Sequence, residues 1–219
     1  MSSELRTRFI AEMNLHGLAP NTQRGYVTSV KGLAAYYNKA PDTLMDEQVL
    51  DYFRHLLEER KLTWRSCHKY LTGLTFFYRH ICQREVQDRF GLPPRRGEKK
   101  LPIVLSIEQV TRLLSCIDNL KHRVLLKTIY SAGLRVSEAV RLEPHHIESD
   151  PSRMLIRVEQ GKGKKDRYTV LSKKLLKELR LYWKKYQPEK WLFPGYGHDK
   201  HLSTTAASQI FYNAKKKPV

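Results

Sequence analysis

Acidic residues are in short supply: 22 Asp and Glu stand against 40 Lys and Arg, and the 219-residue chain carries a formal charge of +18. Such an excess suits a polyanionic partner, because each phosphate neutralised releases condensed counterions and adds affinity without any reading of sequence. Cysteine is almost missing. Cys67, Cys82 and Cys116 are odd in number, far apart and without CxxC spacing, which argues against a disulfide framework or a zinc motif and leaves reduced, buried thiols as the expectation. No apolar run approaches the about 18 residues that a membrane span needs, and the opening MSSELRTRFI has no apolar signal core. No membrane partner is expected, and a cytoplasmic location is. Internal repeats and low-complexity tracts are absent as well.

What is present is uneven. Residues 1–89 hold 13 basic and 10 acidic side chains, whereas residues 101–219 hold 23 and 11. In the first part Leu5, Phe9 and Met13 recur at helical spacing before Gly17, and Asn21 after Pro20 can cap a second helix through Tyr26, Val30, Leu33 and Tyr37. Thr43 with Asp46 reads as a capping box ahead of Val49 and Phe53, and Thr63 opens a fourth helix carrying Cys67, Tyr70, Leu74 and Phe77. Four helices on short loops predict a bundle-like domain over residues 1–88. GLPPRRGEKKLP then breaks regular structure and predicts a basic linker over 89–104.

A second domain, 105–219, opens with a capping box formed by Ser106 and Gln109, and an apolar helix runs up to Gly133. The period then shifts: MLIRVEQ and RYTVLS read as strands around the turn GKGKKD, and helix returns after Ser172 and again from Thr204. The expected fold class is therefore mainly α with a small antiparallel β-sheet, α+β in type.

SAGLRVSEAVRL, from Ser131, admits two readings. Arg135 and Glu138 one turn apart can be a solvated surface pair; alternatively the guanidinium faces a phosphate. GKGKKDR is equally double: a solvated turn, or a phosphate-facing loop that is no P-loop, since GxxxxGK[ST] is lacking. The order of the two boxes, followed by a helix opened by Ser172, is informative. With the helical first domain and the basic linker ending in LPIVLSIEQV, the whole chain resembles the tyrosine recombinases, or phage integrases, most nearly the Xer and integron-integrase branch.

The resemblance implies a core-binding domain followed by a catalytic domain. It gives Arg135 the role of first catalytic Arg, Glu138 that of supporting the pocket, and Lys162, between the hairpin glycines, that of catalytic Lys. Transesterification at a phosphodiester builds charge on nonbridging oxygens; an Arg fork stabilises it and an ammonium can protonate the leaving 5' oxygen. No cofactor or metal is required, and none is expected. The family also carries a His-x-x-Arg box, a further His or Trp and a nucleophilic Tyr, which these 219 residues lack. HDKH, from His198 to His201, has the wrong fourth residue and no third ligand for a metal, and Tyr212 is expected to pack. The catalytic domain is thus expected to be incomplete and unable alone to form a 3'-phosphotyrosine. The expected partner is double-stranded DNA, with Arg24, Arg65 and Lys69 as candidate phosphate or groove contacts. Relatives assemble as tetramers on two DNA sites; here, an uncovered apolar face predicts self-association. A non-catalytic regulator at a recombination site is the alternative. An RNA-binding protein is disfavoured by the lack of an RNP-like motif, and a metal nuclease by the lack of a carboxylate cluster near the boxes.

Overall fold

The computed structural model describes residues 2–84, 101, 103–159, 165–197 and 199–216. The fold is mainly helical with one small antiparallel sheet, and the chain divides into two compact units, residues 1–100 and 101–219. No helix among the described residues is long and apolar enough to cross a membrane.

The first unit holds α1 (Ser3–Leu15), α2 (Pro20–Tyr37), α3 (Asp46–Glu58) and α4 (Trp64–His80). Two of these starts follow the rule that a side-chain oxygen satisfies an orphan amide: Ser2 accepts from the Leu5 N–H at 3.2 Å and Thr63 from the Ser66 N–H at 3.3 Å. The other two depart from the sequence reading. Asn21 is not a cap, because Pro20 already occupies the first helical position, where its missing N–H costs nothing; the Asn21 side chain instead accepts from Arg24. Thr43 ends a 3₁₀ turn, Pro41–Thr43, and α3 begins at Asp46 with Gln48 Oε1 accepting the Met45 N–H at 3.1 Å.

Phe9, Met13, Val30, Leu33, Val49, Leu56, Leu74 and Phe77 are fully buried and form one core. Tyr78 joins them by donating its hydroxyl to the Pro41 carbonyl at 2.7 Å, so its buried polar end is satisfied. α2 and α4 meet at Gly73, where an added Cβ would lie 3.0 Å from the Tyr26 Cα and 3.1 Å from the Ser29 side chain. Gly73→Val pushes a branched side chain against backbone that cannot yield, so it is expected to cost about 1–3 kcal/mol. A thermal melt of G73V beside wild type measures this, and an unchanged Tm contradicts the close approach.

The second unit runs α5 (Ile107–Ser115), α6 (Leu120–Ala132), α7 (Val136–Ala139), β1 (Ile147–Glu148), β2 (Leu155–Val158), β3 (Arg167–Val170), α8 (Lys173–Tyr186) and α9 (Thr204–Lys216). The Ser106 and Gln109 capping box forms as read, and Ser172 caps α8 by accepting from the Leu175 N–H at 3.1 Å. The sheet order is β1-β2-β3, antiparallel throughout, with Ile156 paired to Ile147 on one side and Thr169 on the other. β1 escapes sequence reading because two residues carry no period. Ile156 and Val158 face the core with Val124, Leu125, Leu171, Tyr182 and Phe193, as a period of two requires.

Tyr212 corrects the packing expectation. α9 turns Ala207, Ile210 and Ala214 inward, and Tyr212, two residues from Ile210 and so on the opposite side, is 57% exposed. Of the thiols only Cys67 is buried; Cys82 and Cys116 are half-buried. Leu101, Ile103, Val104 and Ile107 are strongly exposed apolar side chains.

Candidate functional site

Arg135 owes its position to the bend before it. α6 ends at Gly133, which sits in the left-handed region at φ 60° and reverses the chain. Arg135 is the residue from which the short α7 starts, and its amide is the first orphan donor of that helix. Glu138, three residues on, accepts this N–H through Oε2 at 2.8 Å and the Arg135 Nη1 through Oε1 at 2.8 Å. From across the unit Arg167, at the start of β3, donates Nη1 to Oε1 at 2.9 Å and Nη2 to Oε2 at 2.8 Å. Four donors thus fill the about four acceptor positions a carboxylate offers.

Burial decides what this cluster is. The Glu138 side chain is 4% exposed, while those of Arg135 and Arg167 are 56% and 36% exposed. The anion lies inside and the two cations reach solvent. The Arg167 hydrogen bonds, with those from the Arg135 backbone and side chain, overcome the opposing effect of burial and pull the Glu138 carboxyl down from an ordinary 4.5 to about 2. The same bond to Glu138 raises Arg167. At neutral pH the group is two guanidiniums around one carboxylate, a net positive charge presented outward. The surface-pair reading of Arg135 and Glu138 therefore fails on Glu138, whose carboxylate is inside.

Neighbouring contacts hold the frame. Thr169 donates to the Ala132 carbonyl at 2.8 Å, tying β3 to the end of α6. Ser131 and Ser172 hydroxyls are 3.2 Å apart where α6 meets α8, and Lys127 pairs with Glu178 at 2.6 Å between the same helices. A guanidinium already fixed by such contacts loses little entropy when it meets an anion.

Residues 5–88 match the phage integrase N-terminal SAM-like domain, and residues 104–218 match the phage integrase family itself. The chain belongs to the phage integrase family, the tyrosine recombinases. A putative integrase/recombinase of Sinorhizobium fredii, y4qK, is 44% identical over 191 residues, covering 87% of this chain and 61% of that protein. The tyrosine recombinase XerD of Rhizobium meliloti is 28% identical, over 92% of this chain and 71% of that one. Among solved structures, a lambda integrase tetramer bound to a Holliday junction superposes with a TM-score of 0.74 at 14% identity, covering 97% of this chain and 65% of that one. At that identity the likeness is one of fold. The chain spans about three-fifths of the length of the curated relatives first matched, 61% and 59%.

Within this integrase framework the structure brings Arg135 and Glu138 together and adds Arg167, which sequence reading did not single out although it closes the GKGKKDR box. Its signal was the box itself: an Arg opening a strand has its side chain fixed relative to the sheet. Lys162 lies outside the described residues, as does His198. His201 turns its Nδ1 to the Leu202 carbonyl at 2.7 Å. Arg65 and Lys69 are exposed and one turn apart on α4, and Arg24 is exposed on α2, bonded within its own helix to Asn21.

Proposed function

We propose that this chain grips duplex DNA as part of a tyrosine recombinase acting in site-specific recombination or integration. The observation that carries the reading is the pair of solvent-reaching guanidiniums clamped on the buried Glu138 carboxylate. A nonbridging phosphate oxygen is the anion such a cluster suits, because charge-assisted donors already fixed in place need no reorganisation when negative charge develops. By the family pattern Arg135 takes the scissile phosphate, Lys162 gives the leaving 5' oxygen its proton, and Glu138 holds Arg135 in orientation. Arg167 locks Glu138 from the sheet side and is a positioning residue. Arg24, Arg65 and Lys69 meet the backbone or a groove from the helical unit. The relatives' names and the DNA in the lambda integrase structures support the partner.

The nucleophile of the reaction is a tyrosine that attacks phosphorus and leaves a 3'-phosphotyrosine. No His-x-x-Arg occurs anywhere in the 219 residues, so the chain by itself is expected to bind without cutting. On a nicked suicide duplex the expected result is a shifted, non-covalent band that disappears in denaturant. A denaturant-resistant adduct overturns the incomplete catalytic reading. Loss of the shifted band at low salt with duplex but not with structured RNA overturns the DNA reading. Arg135→Ala is expected to weaken the shift by about tenfold, the worth of one charge-assisted contact.

A further inference from the structure

The Arg135 cluster is not the only place where chemically capable side chains converge. At the last turns of α1 and α4 stand Glu12, His16 and His80, one oxygen and two imidazole nitrogens all within 4.8 Å of one another. Glu12 and His16 are an i, i+4 pair on one face of α1, with His16 Nε2 3.3 Å from Glu12 Oε1. His80, 64 residues further on, brings its Nδ1 to 4.0 Å from the same oxygen. The two imidazole rings lie 4.5 Å apart, centroid to centroid.

We propose that Glu12, His16 and His80 form a binding site for a divalent transition-metal ion of the zinc type, which clips α1 to α4. Two imidazoles and one carboxylate are a donor set that such an ion accepts, with a fourth position left to water. Metal–ligand bonds of about 2.0–2.2 Å in a tetrahedron put neighbouring donor atoms about 3.4 Å apart. The Glu12–His16 separation is already there, His80 needs to close on Glu12 by about 0.6 Å, and no two of the three donor atoms are more than 4.8 Å apart. The rings are held for it: Phe76 lies tilted at 33° against His80 at 4.4 Å and meets His16 edge-on at 5.2 Å, so little rotamer freedom is lost on binding. An entry path exists, since His16 is exposed and His80 edges a cleft of about 250 Å³ along α4.

Burial and the nearby His16 both push His80 below its ordinary value, against the pull of Glu12. Arg79, next along the chain, adds a smaller push in the same direction.

The comparison cluster, His145, His146 and Glu159, lacks this readiness. His146 Nδ1 accepts the Glu143 N–H at 3.0 Å, which puts the proton of the neutral ring on Nε2, the nitrogen that faces Glu159 at 3.6 Å. Glu159 in turn is taken by Arg157 at 3.0 Å. The second cluster is set apart by the tautomer of His146, whose buried Nε2 has no hydrogen-bond partner among the described residues, and by the ion pair that engages Glu159.

The consequence is mechanical. α1 is attached through Phe9 and Met13 and through Arg8, which donates to the Ile81 carbonyl at 3.2 Å; a bound ion adds a cross-link at the same end. Anything that binds only the folded state raises its stability by mass action. The full chain titrated with Co(II) and then Zn(II), followed by calorimetry and visible absorption, is expected to take up one equivalent with nitrogen and oxygen ligands. Zn(II) is expected to raise the Tm. His16→Ala, at an exposed position and so compatible with folding, is expected to weaken binding at least about tenfold and abolish the rise in Tm; His80→Gln and Glu12→Gln do the same. His145→Ala is expected to titrate like wild type. Equal affinity in H16A and wild type, loss of the site in H145A, or a cobalt–thiolate charge-transfer band overturns the assignment.

Discussion

Between about 50 and 200 mM salt this chain is expected to lose about three to five decades of affinity for duplex DNA, the fall that follows when about six to ten phosphates are neutralised. The chain has the charge to do so: +18 over 219 residues, with 23 basic against 11 acidic side chains in residues 101–219. The log–log slope counts the phosphates met, so each substitution can be read separately. Arg65→Ala and Lys69→Ala should each lower the slope by about one while weakening all sequences alike, whereas loss of a base contact would relax preference at one position. Fluorescence anisotropy with a labelled duplex over a salt series provides the measurement. A flat response removes DNA as the partner, and an equal slope and affinity for structured RNA transfers the claim to nucleic acids in general.

Much of this molecule could be read before folding, and the parts that could not have a common cause. Local signals held: the hydroxyls of Thr63, Ser106 and Ser172 open helices as read, and Gly133 closes one, because a cap needs only neighbours within one turn. Asn21 and Thr43 misled for the same local reason. Each is a residue type that can cap, but Pro20 and the 3₁₀ turn at Pro41–Thr43 took the position first. Within the site, Arg135 and Glu138 are three residues apart and legible as a pair. Arg167 lies 29 residues beyond Glu138 and reaches it only because β3 runs back beside α6, held by Thr169 on Ala132. Glu12, His16 and His80 repeat the lesson: the helical pair is in the sequence, while the third ligand depends on how α1 meets α4. What a sequence hides here is which distant cation or imidazole a known residue will face.

Glu138 carries the second large effect. Its carboxylate is buried and accepts four hydrogen bonds, and its ionisation falls from an ordinary 4.5 to about 2 mainly through Arg167. A group with a depressed folded-state value contributes stability above its unfolded value and loses it as pH falls through the folded one. At about 1.4 kcal/mol per unit, the charge is worth about 3 kcal/mol at pH 7 and nothing much below pH 2. Glu138→Gln keeps the side-chain oxygen that caps α7 but sets an NH₂ group against guanidinium donors. It is therefore expected to destabilise the second unit by about 3 kcal/mol at pH 7, and the gap to wild type is expected to close between pH 4.5 and 2. Trp183 and Trp191 report on that unit once Trp64→Phe removes the other tryptophan, so urea melts across the pH range measure it directly. A gap that stays constant with pH would mean that Glu138 acts by shape and not by charge. The same variant separates stability from grip: with its carboxylate anchor gone, Arg135 is still present and still cationic but no longer held, and duplex affinity is expected to fall at pH 7 under conditions where the protein remains folded. Equal binding by E138Q and wild type at that pH would remove Glu138 from the phosphate site and leave it as a cap of α7 alone.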